Sequence, residues 1–345
     1  NTALGHAALK CNTTANLNTA VGNAALQENT TGCQNTAGGN SALNKNTTGC
    51  RNASFGANSL AENTTGNYNT ASGYRALKEN TTAGFNSAFG YQALEDNTTG
   101  CRNTASGVYA LNGNTTGCFN IAMGHSALVY NTTADNNTAI GACSLFANTT
   151  GGNNAALGFK SLMSSTCGHY NTAIGYASAL TSTTGCYNTA SGYKSLYTNT
   201  TGSGNTAIGD RALFASTTAG NNTAVGQLAM WKTTTGGYNT TSGYGSLREN
   251  TTGSCNTAHG YKALYANTTA QQNTAYGGFA LVDNTTGNYN TAHGFQAMGS
   301  TTSGSYNTAV GRNALYCNTT SGVNTAVGYS ALYTNVDGDR NTAIG

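Results

Sequence analysis

The sequence predicts an all-β solenoid, a β-helix or β-roll with one coil per 17 residues and a roughly triangular cross-section. Three observations predict it. The 345 residues divide into twenty 17-residue copies, 1–340, and a partial copy, 341–345, with no insertion or deletion between them. A strict period of this length is the mark of stacked units, each burying its apolar face on the next. The chain holds 46 Gly and is rich in Asn, Thr and Ser, which are poor formers of a helix interior. Finally, Gly stands at repeat position 5 in every copy, and Gly, Ala or Ser at position 15, as the bends of a coil require.

The pattern is N-T-A-x-G-x-x-[AS]-L-x-x-N-T-T-G-x-x. Asn at position 1 and Gly at position 5 recur in all 21 copies, Ala or Ser at position 8 in all 20 full ones, and Leu at position 9 in 17 of 20. The expected coil has three short extended segments, near positions 2–4, 6–10 and 12–14. Asn at positions 1 and 12 suits left-handed corners. Identical positions then stack about 4.8 Å apart, and about 20 coils extend about 95 Å. Asn1, Asn18 and Asn35 are candidates for an axial amide ladder, or answer only a turn requirement; Gly5, Gly22 and Gly39 form a parallel column. The whole of 1–345 reads as one repeat array. Asn1 is already in register, so the chain reads as an excerpt of a longer protein.

Positions 8 and 9 are neighbours in the expected strand and so face opposite ways. If Leu faces inward, the small residue faces outward, where only close packing by another surface would restrict it to Ala or Ser. That reading expects identical chains around the coil, as a trimer or filament bundle. Packing by another surface is the simplest explanation of the pattern; a local bend turning both residues inward, or recent duplication, is the alternative.

N-T-A-I-G (171–175, 205–209, 341–345) and N-T-T-G (29–32, 63–66, 148–151, 284–287) resemble the tandem repeats of large bacterial and phage tail-fibre-like proteins. Those often end in a self-cleaving chaperone domain that trimerises the fibre. A weaker similarity is to the head repeats of trimeric autotransporter adhesins, which carry an N-S-x-A-I-G type motif and form a β-roll. The resemblance implies a trimeric fibre that is extracellular, on the cell surface or on a virion.

Composition limits the chemistry. The 14 basic and 11 acidic residues leave a net charge of +3 without clustering, which argues against a nucleic-acid surface. Apolar runs are only a few residues long, so membrane insertion is not expected. No catalytic triad, phosphate loop or carboxylate pair stands out, so no enzyme and no cofactor are expected.

Candidate sites are therefore structural or weakly indicated. Cys33 and Cys50, and Cys101 and Cys118, share position 16 on consecutive coils, within disulfide reach if the coils stack. His259 and His293 share position 4 two coils apart, and would hold a metal only with symmetry copies around an axis. Asp337 and Asp339 resemble a fragment of a calcium loop. N-T-T is an N-glycosylation acceptor at Asn12, Asn29, Asn46, Asn63, Asn80, Asn97, Asn114, Asn131, Asn148, Asn199, Asn250, Asn267, Asn284 and Asn318. Aromatic residues gather at positions 6, 10 and 17, as Tyr244 and Tyr261, Phe214 and Trp231, and Tyr289 and Tyr306 show. Such rows suit ring stacking, lateral packing or contact with surface glycans. Stacked Thr columns raise ice binding as a distant alternative, though Thr13 and Thr14 are adjacent and point apart.

Overall fold

The computed structural model describes all of residues 1–345 and contains no helix. It comprises two compact units, Asn1–Asn171 and Thr172–Gly345. The repeat runs through residue 171 without a break in register, so nothing in the sequence marks that boundary. The first unit carries ten strands, β1 (Thr2–Leu4) to β10 (Ala155–Leu157), and the second eleven, β11 (Thr172–Ile174) to β21 (Thr342–Ile344). Each unit is a parallel β-solenoid with 17 residues per coil. Strands pair in register with the same positions one coil on, as in Thr19 with Thr36, Ala20 with Ala37 and Val21 with Gly38.

Only positions 2–4 form a strand; positions 6–11 are a tight turn and 13–14 a bend. The second and third extended segments expected from the pattern are therefore absent. The left-handed residues also lie elsewhere than expected. They sit at positions 7, 9 and 17, as at Ala24 (φ 56°), Leu26 (φ 49°) and Gln34 (φ 59°), and not at the Asn of positions 1 and 12. A left-handed Leu costs about 1–2 kcal/mol of backbone strain. The turn holds it there because Leu26 N–H donates to Ala42 O of the next coil at 3.0 Å while Ala24 N–H donates to His6 O of the preceding coil at 2.8 Å.

That turn decides what lies inside. Alternation fails across two left-handed residues, so positions 8 and 9 both point inward: Ala25 and Leu26, and Ala42 and Leu43, are fully buried. The premise that the small residue at position 8 faces a neighbouring chain is thus overturned, because interior crowding restricts it. The interior consists of positions 1, 3, 8, 9, 12 and 15, typically Asn, Ala, Ala, Leu, Asn and Gly. The Gly column of position 5 is equally constrained. At Gly22 (φ 138°) an added Cβ would lie 2.3 Å from Gly39 O, so neither the backbone angle nor the stacking distance admits a side chain.

Two Asn columns run through each unit. At position 1 the amide works in two directions: Asn18 Nδ2 donates to Gly32 O of its own coil at 2.8 Å, and Asn18 Oδ1 accepts from Asn35 N–H of the next coil at 2.9 Å. At position 12 the amides bond one another. Asn46 Nδ2 donates to Asn29 Oδ1 at 2.7 Å and also to Gly49 O at 2.9 Å. The amide-to-amide ladder is therefore strongest at position 12, while position 1 mainly ties main chain to main chain.

The position 12 ladder breaks at Ser165, Ser216 and Thr301, whereas Thr233 Oγ1 still accepts from Asn250 Nδ2 at 3.3 Å. Asn148 Oδ1 faces Ser165, Asn199 Oδ1 faces Ser216, and Asn284 Oδ1 faces Thr301; all six oxygens are buried without a partner. A missing donor to a buried carbonyl costs about 1–3 kcal/mol. Thr301→Asn should supply that donor to Asn284 and an acceptor to Asn318. Hydrogen exchange of the surrounding coils should report stabilisation of about 1–2 kcal/mol, whereas Asn63→Ala, which opens an intact ladder, should speed exchange locally.

Candidate functional site

The chemistry-bearing side chains cluster on the outward positions, and position 16 is the most ordered of them. Its side chain accepts the main-chain N–H of position 16 in the preceding coil. Cys50 N–H donates to Asn67 Oδ1 at 2.7 Å, Cys118 N–H to Asp135 Oδ1 at 2.6 Å, Gln271 N–H to Asn288 Oδ1 at 2.7 Å and Gly237 N–H to Ser254 Oγ at 3.2 Å. Cysteine fills the same role with a weaker acceptor: Cys33 N–H points at Cys50 Sγ (3.1 Å) and Cys101 N–H at Cys118 Sγ (3.0 Å). The rule escapes a reading by identity because Asn, Asp, Ser, Cys and His all satisfy it. The available signal was chemical: a variable column confined to acceptors and Gly.

The structure brings both cysteine pairs together as thiols, with sulfurs 3.1 Å apart in Cys33–Cys50 and 3.0 Å in Cys101–Cys118. Cys33 and Cys118 are not activated. The hydrogen bond with Cys50 and then burial push Cys33 above the ordinary thiol range, and burial followed by the hydrogen bond with Cys101 does the same to Cys118. A raised pKa keeps the thiol protonated, and the thiolate is the nucleophile.

The other candidates are separated or occupied. Tyr276 stands between His259 and His293 in the position 4 column, its ring centroid 4.6 Å from the first and 5.6 Å from the second. No group of three or more His, Cys, Asp or Glu is placed to hold a metal ion within the chain. Asp339 Oδ1 accepts Gly322 N–H at 2.7 Å, the ordinary duty of position 16. Asp337 is exposed at position 14, and Asn335 Nδ2 keeps the usual bond of its column, to Gly338 O at 2.8 Å. Thus the departure from N-T-T at 335–339 preserves the coil.

The N-T-T asparagines occupy the position 12 column. Apart from the half-buried Asn12 they are fully buried, and their Nδ2 atoms donate to the position 15 carbonyl. A sugar on that nitrogen is incompatible with a folded coil. The first Thr of N-T-T also spends its hydroxyl on the chain: Thr30 Oγ1 donates to Thr47 O at 3.0 Å, and the same bond recurs along the column.

Aromatic side chains stack on their counterparts one coil on. Tyr68 and Phe85 lie 4.9 Å apart at 9°, Tyr197 and Phe214 5.1 Å at 3°, Tyr244 and Tyr261 5.3 Å at 12°, and Tyr289 and Tyr306 4.8 Å at 7°. Cations extend the stacks. The Arg51 guanidinium lies over Tyr68, and Arg102 is held between Phe85 and Phe119 at 5.8 Å and 5.1 Å. In the stacked pairs each ring covers a face of its neighbour, whereas Tyr130 and Phe146 (86°) and Phe279 and Phe295 (82°) meet edge to face. Tyr238 is an exception, about two-thirds exposed and without a ring partner.

No protein-family model and no curated protein matches the chain.

Two outcomes test the cysteine assignments. Mild oxidation with diamide should link Cys33 to Cys50 and Cys101 to Cys118, as peptide mapping would show; cross-links between other positions would contradict the stacking. Under reducing conditions, alkylation of Cys33 should reach half its limiting rate only above pH 9, where an unperturbed thiol is already half ionised.

Proposed function

We propose that this chain is a structural repeat segment of an extracellular or virion fibre, a stiff rod that packs against identical chains. One observation carries the reading: the residues that recur in all or most copies are spent on closing a coil and stacking it. Asn at position 1, Gly at position 5 and Leu at position 9 are used for main-chain bonding, close approach and core. No recurrent outward side chain has the geometry of a catalytic group. A sequence selected in this way supplies length and rigidity. The resemblance of its N-T-A-I-G and N-T-T-G units to tail-fibre-like repeats points the same way.

An adhesin that presents aromatic columns to glycans is the second reading, and Tyr238 is the ring that favours it. Sugar stacking needs an open aromatic face, and the rings of the stacked pairs have one face covered by a neighbour. The columns therefore act first as stiffeners. Ice binding has less support. The hydroxyls of the first N-T-T Thr are consumed by main-chain carbonyls, and the outward position 4 column changes size from Gly38 to Phe55 to Ser72, which no flat lattice matches.

Negative-stain images of the purified chain should show rods that associate side by side. A glycan array should show no retention that depends on Tyr244 and Tyr261. Retention abolished by Tyr244→Ala and Tyr261→Ala would transfer the assignment to an adhesin, and thermal hysteresis with shaped ice crystals would transfer it to ice binding.

A further inference from the structure

The strand face of the first unit has a pattern that specifies how a second copy would sit on it. Positions 2 and 4 are the outward residues of every strand, and none of the chain's 25 charged residues occupies either position in any of the 21 strands. Apposing two such faces would bury no charge, avoiding the largest desolvation cost an interface meets.

Shape supplies the specificity. From coil 3 to coil 8 the position 4 column reads Gly38, Phe55, Ser72, Phe89, Ser106, Met123, each in register with the next. Small and large residues alternate strictly. Phe55, Phe89 and Met123 are 49%, 45% and 44% exposed, while the serines between them are half-buried. The ring of Phe55 leans along the column, so a Cβ on Gly38 would lie 3.1 Å from its Cδ1. That tilt carries the ring over Gly38 and away from Ser72. The result is a row of apolar ridges about 9.6 Å apart with a notch between each pair.

Read in reverse, this row is its own complement. A copy running antiparallel sets Phe55 against Ser106, Ser72 against Phe89 and Gly38 against Met123, and each partner residue makes the reciprocal contact. That is the defining property of an isologous two-fold interface. A parallel copy at equal height would set ridge on ridge instead. We infer that the strand face of coils 3–8 is a homodimer interface, in which two copies of this chain lie antiparallel about a two-fold axis passing between Ser72 and Phe89. The inference rests on the reading that identical chains pack together, and it names the face, the direction and the register. The six coils, about 29 Å by about 10 Å on each copy, lie below the size of a standard specific interface, so the dimer should be weak and dissociate readily on dilution.

The test uses sedimentation velocity of the full chain over a concentration series, under reducing conditions so that cysteines play no part. Ser72 is outward, so its substitution leaves the interior alone, and the thermal unfolding curve checks that it does. Ser72→Phe fills a notch and sets Phe against Phe89 across the two-fold; it should weaken dimerisation at least tenfold although it adds apolar surface. Combining Ser72→Phe with Phe89→Ser restores large against small and should restore the wild-type affinity. Equal or tighter association of Ser72→Phe, or failure of the double variant to recover, would overturn the inference while leaving side-by-side packing standing. A wild-type chain that remains monomeric at every concentration would overturn both.

Discussion

One side-chain amide governs the architecture. The Asn at position 1 ties the start of a coil to its position 15 through Nδ2 and offers Oδ1 to the first main-chain N–H of the next coil. No other small side chain does both. Asp lacks the donor, Ser lacks the reach, and Gln would need more room than the interior allows. Closing a coil and stacking it thus become one event, and this lets so small a core suffice. Each coil buries little more than two alanines and one leucine, far less apolar surface than an isolated unit of its length would need. Stability must come from contacts between neighbouring coils, summed along the stack.

Interior and exterior are accordingly built on different rules. Inside, volume and hydrogen-bonding valence are fixed, and even a Ser for an Asn leaves two oxygens without partners. Outside, a column is constrained only by what it meets one coil away. Position 16 needs an acceptor, and positions 6, 10 and 17 accept rings or cations that stack on one another. Exposed variability of this kind is still structural, because each outward side chain packs mainly on its own counterpart.

Much of this was legible in the sequence. The period gave the coil, the Gly column gave the closest approach between coils, and Leu at position 9 gave the core. The amide ladder was legible too, although position 12 carries its amide-to-amide form more fully than position 1. The turn at positions 6–11 was not legible. Nothing in the identity of Leu26 suggests a left-handed backbone, a conformation that propensity assigns to Gly or Asn and that here is imposed by hydrogen bonds to both neighbouring coils. Missing that turn reversed the direction of Ala25 and turned a packing constraint into an argument for a partner. Missing the burial of position 12 made Asn29 and its counterparts look like acceptors for sugar. In both cases the error came from treating a local motif as exposed strand, when the interior had already claimed it.

The exact in-register pairing of coils has a genetic corollary. Because every coil offers its neighbour the same main-chain register, a deletion or duplication of 51 nucleotides, starting at any codon, keeps the downstream columns aligned. Copy number can then drift by unequal recombination at little folding cost, confined to side-chain mismatches at the junction, whereas gain or loss of a single codon would throw every downstream column out of line. The length of such a molecule is a quantity evolution can adjust by counting.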